Sequence, residues 1–173
     1  MIHNFFQGSL RTQPDIRYVP YMTAHSTDVK GISTINSSDN RFFNNVFAVA
    51  EEGTDPLGCY GQIPVPFVSE DNAVILGSKV DASCTGRTVI LKINGLGGKC
   101  RVVESGMLGL TFLSGQPFEN PDGTDICFSE DFFGNARNAS GTAPGPFERK
   151  DGKDDLRHQS CESLPYSVSV IFE

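Results

Sequence analysis

The sequence has no apolar run approaching the roughly 18 residues needed to cross a bilayer, and its opening Met1-Ile2-His3-Asn4-Phe5-Phe6 lacks a basic stretch followed by an apolar one. These absences predict a protein with no membrane anchor and no visible export signal, hence a cytoplasmic one. Positive charge is also scarce. Lys and Arg number 14 against 21 Asp and Glu, for a net charge of −7. The broad basic footprint that holds polyphosphate is therefore missing, which excludes nucleic acid as a partner. No C-x-x-C pair occurs among Cys59, Cys84, Cys100, Cys127 and Cys161. That spacing rules out a zinc knuckle or a dithiol redox site, and the odd number predicts reduced, mostly buried thiols. There is no G-x-S-x-G either, so acyl-transfer chemistry around His3, His25 or His158 has no nucleophile to support it.

What is present suffices for a core: 173 residues, 38% hydrophobic and 10% aromatic. The 18 Gly and 10 Pro are scattered along the chain, which favours short strands and many turns over long helices. An all-β fold is expected. Two early segments, Ile2-His3-Asn4-Phe5-Phe6-Gln7 and Phe43-Asn44-Asn45-Val46-Phe47-Ala48, each place an Asn two residues before a Phe. Repetition of this kind marks a parallel β-helix, where Asn residues of successive rungs bond one another and Phe fills the layer beside them. Two unrelated strands, each with a buried Phe, would give the same pattern. A composition shift at Glu51-Glu52-Gly53-Thr54-Asp55-Pro56 divides the chain. Beyond it, strands are expected at 73–76, 88–93, 100–104, 108–113, 126–129 and 167–172, with turns at Asn94-Gly95 and Pro121-Asp122-Gly123-Thr124, a pattern that suggests a small antiparallel sandwich or sheet packed on the first segment. The mixed charges of residues 145–155 read as a solvated loop.

Two motifs that invite chemistry have simpler explanations. Gly95-Leu96-Gly97-Gly98-Lys99 has Cys100 where a phosphate loop needs Ser or Thr, so a turn is expected there. The oxygens of Glu119 and Asn120-Pro121-Asp122-Gly123-Thr124-Asp125 fit an Asp-Gly turn better than a calcium loop. No metal and no cofactor is expected. Residues 17–31 read as an irregular, Pro- and Gly-bounded segment of the composition that lines sites. With residues 39–41 they supply Tyr18, Tyr21, His25, Asp28, Asp39 and Arg41. Glycoside hydrolysis needs two carboxylates, one protonating the leaving oxygen and one attacking or activating water, with Tyr and His nearby to tune them. Asp28 and Asp39 could be those carboxylates, or exposed turn residues with Arg41 paired to one of them.

Three segments carry a family resemblance. They are Arg17-Tyr18-Val19-Pro20-Tyr21 with His25-Ser26-Thr27, then Asp39-Asn40-Arg41-Phe42-Phe43-Asn44-Asn45-Val46-Phe47, and then Pro117-Phe118-Glu119-Asn120-Pro121-Asp122-Gly123 continuing to Asp131-Phe132-Phe133-Gly134 and Pro144-Gly145-Pro146-Phe147-Glu148. Together they resemble the C-terminal part of bacterial right-handed parallel β-helix glycoside hydrolases of the β-xylosidase type, family 120. The resemblance implies terminal turns of a right-handed parallel β-helix at residues 1–50, a small antiparallel β-sandwich-like cap over its open end at residues 51–173, a retaining two-carboxylate mechanism and an oligosaccharide or glycoside as partner. Neither catalytic carboxylate of the family matches a position here, so the catalytic residues stay unassigned. Tyr21, His25, Asp28, Asp39 and Arg41 are the candidates for substrate binding. The family's enzymes are much longer, so the chain is expected to be a C-terminal fragment or shortened relative with little independent catalysis. The alternative is a stand-alone β-sandwich module that binds carbohydrate or a protein partner. An open first rung with Ile2, Phe5 and Phe6 also implies a homo-oligomer.

Overall fold

At three corners of the chain a His, Asn or Asp in the left-handed backbone region stands immediately before an Asn that bonds its neighbour: His3-Asn4, Asn44-Asn45 and Asp71-Asn72, with φ of 54°, 55° and 54° at the first residue. These are the non-glycine residues most enriched in that region. Each pair turns the chain between two short strands, and the corners lie over one another. The computed structural model describes residues 1–148 except 14, 36, 38, 66, 86 and 87, together with the strands at 157–160 and 167–172. In it, strand β5 (Val46–Val49) is flanked by β1 (Phe5–Gln7) and β7 (Ala73–Leu76), all parallel, with Phe6, Phe47 and Val74 in register. Before the corner, β4 (Arg41–Phe43) pairs in parallel with β6 (Val68–Glu70), and Ile2 bridges Phe43 in the same sense. The product is a stack of three strand–corner–strand rungs.

The sequence repeat captures the first two rungs. The third escapes it because Val74 stands in the place of Phe and the interval between corner asparagines falls from 41 to 27 residues. Parallel pairing thus continues across the composition shift at 51–56, which lies in the loop between β5 and β6. The corner asparagines form a ladder. Asn45 Oδ1 accepts from the backbone N of Asn4 (2.9 Å) and its Nδ2 (3.2 Å), and Asn72 Oδ1 accepts from the backbone N of Asn45 and its Nδ2, both 2.8 Å. Asn45 Nδ2 also donates to Met1 O at 2.9 Å and Asn72 Nδ2 to Phe42 O at 2.7 Å. Backbone groups that a tight corner would leave unpaired are satisfied this way.

All four residues of β5 are buried, because both of its faces are covered. Phe47 and Val49 join Phe42, Leu57 and Tyr60, and Phe6 stacks on Phe47 with centroids 4.9 Å apart. Val46 and Ala48 meet Ile75, Ile93, Leu96 and Phe147. Ile93, Leu96 and Phe147 of this second cluster come from the later half of the chain, Ile93 from the end of a further sheet. Strands β8 (Val80–Thr85) and β9 (Thr88–Ile93) pair antiparallel, and β11 (Ser167–Phe172) runs parallel to β9 and antiparallel to β10 (Arg157–Ser160). The fold is all-β, in small parallel and antiparallel sheets. Its one described α-helix, α1 (Ser105–Leu108), has four residues, and among the described residues no helix is long and apolar enough to cross a membrane.

Several local expectations are corrected. Residues 17–31 are not irregular: β2 (Asp15–Met22) and β3 (Val29–Ile35) form an antiparallel hairpin. Pro20 is tolerated because a two-stranded ribbon consists of edges alone. The strands expected at 100–104, 108–113 and 126–129 shrink to isolated bridges such as Cys100 with Thr142 and Glu104 with Cys127, in a segment held by scattered backbone bonds such as Phe128 N to Val103 O and by side chain to backbone bonds such as Ser105 Oγ to Phe118 O. Cys100 is buried but Cys84 and Cys127 are exposed. Residues 145–148 are not a solvated loop, since Phe147 and Glu148 are buried. Cys161 and residues 149–155 lie outside the described residues.

The loop ending at Glu148 closes on the first two corners. Gly145 N donates to Asn44 O (2.7 Å), and Gly145 O receives His3 Nδ1 (3.1 Å) and Arg137 Nη2 (3.2 Å). Glycine is required there, because φ is 86° and a Cβ would lie 2.9 Å from Val46 Cγ2. His3 Nε2 accepts from Asn44 Nδ2 at 3.0 Å, so its two partners specify the neutral tautomer protonated at Nδ1. Burial, and secondarily the charge of Arg137, push the imidazole pKa down from 6.5 to about 4. Between those two pH values the unfolded chain binds a proton that the folded chain refuses. Stability is therefore complete above pH 6.5 and falls as the pH drops toward 4, by roughly 2 to 3 kcal/mol between pH 7 and 4.5. Urea midpoints at the two pH values should show this loss, and His3→Gln should remove that share of it. An unchanged acid sensitivity in the variant would contradict the assignment.

Candidate functional site

Asp39 and Arg41 fasten the hairpin's root to the segment around residue 110. Asp39 sits in the left-handed region (φ 59°), and its carboxylate is engaged at both oxygens, Oδ1 by Arg41 Nη1 (2.8 Å) and Oδ2 by the backbone N of Phe112 (2.6 Å). Arg41 is buried. Its Nε donates to Leu108 O (2.7 Å), its Nη2 to Leu110 O (2.8 Å), and its guanidinium lies 5.1 Å from the centre of the Phe118 ring. Fixed donors in this fork hold the 108–110 backbone against the start of β4.

The hairpin and the 111–116 loop thereby enclose a groove of about 570 Å³. Val19, Tyr21 and Met22 of β2 line one wall, Phe112 and Leu113 the other, and Asp39 is also part of the lining. The size is that of a small-molecule site. Two contacts tie the hairpin to the facing loops: Lys30 Nζ donates to Ser114 O (2.5 Å), and His25 Nε2 lies 2.7 Å from Glu119 Oε1. The walls are mainly apolar with scattered hydroxyls, including Ser33, Ser37 and the bonded pair Thr111 and Ser114.

Of the five residues singled out in the sequence, the structure places Tyr21 and Asp39 on the groove, with Arg41 fixed behind Asp39. His25 and Asp28 are set apart in the hairpin's connecting turn, where Thr23 N donates to Asp28 O and Asp28 N donates to Ser26 Oγ. Asp39 and Arg41 thus form the pairing that the sequence offered, with the arginine buried and the carboxylate half-buried. Asp39 is the one acid among the groove's described lining residues, so two carboxylates do not face each other across it. Among the described residues no three His, Cys, Asp or Glu side chains gather as a metal site. Sequence reasoning missed Lys30, Phe112 and the pairing of Glu119 with His25. These meet across more than 70 residues of chain, and the half-exposed Phe112-Leu113 pair was the available signal.

No protein-family model matches the chain, and no curated protein does. Among solved structures, the complex of XylC with xylose superposes with a TM-score of 0.65 at 18% sequence identity, over 85% of this chain and 30% of that one. The likeness is one of fold. The chain spans less than a third of the length of that neighbour.

Proposed function

We propose that the chain is the C-terminal part, or a shortened relative, of a β-xylosidase-like glycoside hydrolase. In this reading the three rungs are the last turns of a right-handed parallel β-helix, the remainder is its cap, and the groove beneath the hairpin contacts saccharide without supplying the acid and nucleophile. The fold likeness to the xylose-complexed XylC, across most of this chain, carries the reading. The groove's composition agrees with it, since a sugar offers an apolar ring face to Tyr21 and Phe112 and hydroxyls to Ser33 and Ser37. Asp39 argues against catalysis by this chain alone, because proton transfer or nucleophilic attack would require breaking its bonds to Arg41 and Phe112. Binding without turnover is the expected behaviour.

Titration with xylo-oligosaccharides should move the amide resonances of Tyr21 and Phe112, while an aryl β-xyloside stays intact. Tyr21→Ala should weaken that binding by roughly five- to ten-fold through loss of the stacking face. Absence of any saccharide effect on the groove would remove the reading, and hydrolysis that disappears in Asp39→Ala would replace it with a catalytic one.

A further inference from the structure

Tyr21 reaches the groove through a close fit within the hairpin. It pairs across the two strands with Gly31, and the outer end of its ring fills the space that a β-carbon on residue 31 would need. Such an atom would lie 2.5 Å from Tyr21 Oη, 2.7 Å from Cζ and 2.8 Å from Cε1. Gly31 is outside the left-handed region, so its backbone alone does not call for glycine. The missing side chain is what lets the ring fold over β3. On the facing wall Phe112 is fixed by the bond from its backbone N to Asp39, and its side chain remains 57% exposed. Val19, Met22 and Leu113 beside these rings are exposed as well, so apolar surface within reach of water gathers in one concavity. Open charge does not gather there. Asp39 is the one acid of the described lining and both its oxygens are engaged, while Thr111 and Ser114 bond each other and Ser37 donates to Gln13 O at 3.0 Å.

We infer that the groove holds an uncharged aromatic ring, carried as the aglycone of a β-xyloside and laid against Tyr21 and Phe112. The inference rests on the saccharide reading of the groove and narrows it. A pyranose carries hydroxyls around its ring, and each one moved from water onto an apolar wall without a partner costs free energy. Ser33 and Gln116 add little open polar lining to a groove of about 570 Å³, a volume suited to a ligand larger than one sugar ring. An aryl group meets no such penalty. It gains from the apolar area it covers and from stacking on the two rings. Gly31, which is not itself part of the described lining, is then a positioning residue that sets where the Tyr21 ring stands.

The chain is expected to leave aryl β-xylosides intact, so their affinities are measurable at equilibrium from the amide resonances of Tyr21 and Phe112. Phenyl β-xyloside should bind the unmodified chain at least roughly ten-fold more tightly than methyl β-xyloside. Gly31→Ala should weaken phenyl β-xyloside binding roughly five-fold or more, yet add nothing in a chain that already carries Tyr21→Ala. A merely structural role for Gly31 would weaken both backgrounds alike. Equal affinity for the two glycosides overturns the inference and leaves the saccharide reading standing. Phenol binding as tightly as its xyloside, with no binding of methyl β-xyloside or xylo-oligosaccharides, would uphold the aromatic site and remove the saccharide reading. The inference also falls if no ligand moves these resonances, or if they move with rising concentration of the chain alone, which would make a second copy the occupant.

Discussion

Replacing Asn45 by leucine is expected to lower the free energy of unfolding by roughly 3 to 5 kcal/mol, a large share of the stability of a domain this size. Asn45 is fully buried, and its side chain serves three others at once. Without it the N–H of Asn4 loses its acceptor and Asn4 Nδ2 keeps only Ile2 O, Met1 O loses a donor, and Asn72 Oδ1 loses one of the two N–H groups it receives. A leucine of similar volume keeps the packing around Phe42 and Phe47 but offers no polar atom, so each stranded group retains its desolvation penalty of about 1 to 3 kcal/mol. The position in the stack makes the argument specific. Asn4, at the exposed end, should tolerate the same change at a cost of about 1 kcal/mol, since water can replace what it loses. Equal losses at the two positions, read from urea unfolding of both variants, would show that the ladder does not carry the stability assigned to it.

The same residues show which parts of this fold the sequence discloses. Asn before a run of aromatic and β-branched residues is a local signal, and it discloses two of the three corners because backbone preference and side-chain bonding are settled within a few residues. The third corner has the same chemistry in Asp71-Asn72, but a shorter excursion precedes it and Val74 replaces the aromatic, so a search for copies passes over it. The charged residues mislead in a regular way. Glu148 reads as solvated because carboxylates usually are, and its burial depends on Arg137, eleven positions earlier. Asp39 and Arg41 read as a surface pair because sequence shows their spacing and not the carbonyls of Leu108 and Leu110 that bury the guanidinium. The groove is a meeting of the hairpin with a loop about 80 residues away, so its existence is a tertiary fact. Of its lining, only Tyr21 and Asp39 are singled out by the sequence.

Arg137→Met is expected to destabilise the chain by roughly 3 to 5 kcal/mol, the range for removing one partner from a buried ion pair. The Arg137 side chain is 2% exposed and that of Glu148 8%, with Nη1 3.7 Å from Oε2. The guanidinium also donates to Glu130 O (3.0 Å), Thr142 Oγ1 (3.2 Å) and Gly145 O (3.2 Å), while Glu148 accepts from Thr142 Oγ1 and from Ala143 N. Burial holds the arginine pKa below its usual value and the nearby carboxylates oppose that shift, so most of what the pair gains it spends on desolvation. It follows that Glu148→Leu alone should also be costly, because it strands the arginine. The double variant should cost less than the two single variants together, by about 1 to 3 kcal/mol, since neither charge is then left alone in the interior. Strict additivity in a double-mutant cycle would refute the pairing. A second consequence reaches the first corner: Arg137 is one of the two causes that depress the His3 pKa, so removing its charge should raise that pKa and shrink the acid-linked loss of stability between pH 7 and 4.5. Burial, the larger cause, remains, and the pH dependence should therefore diminish without vanishing.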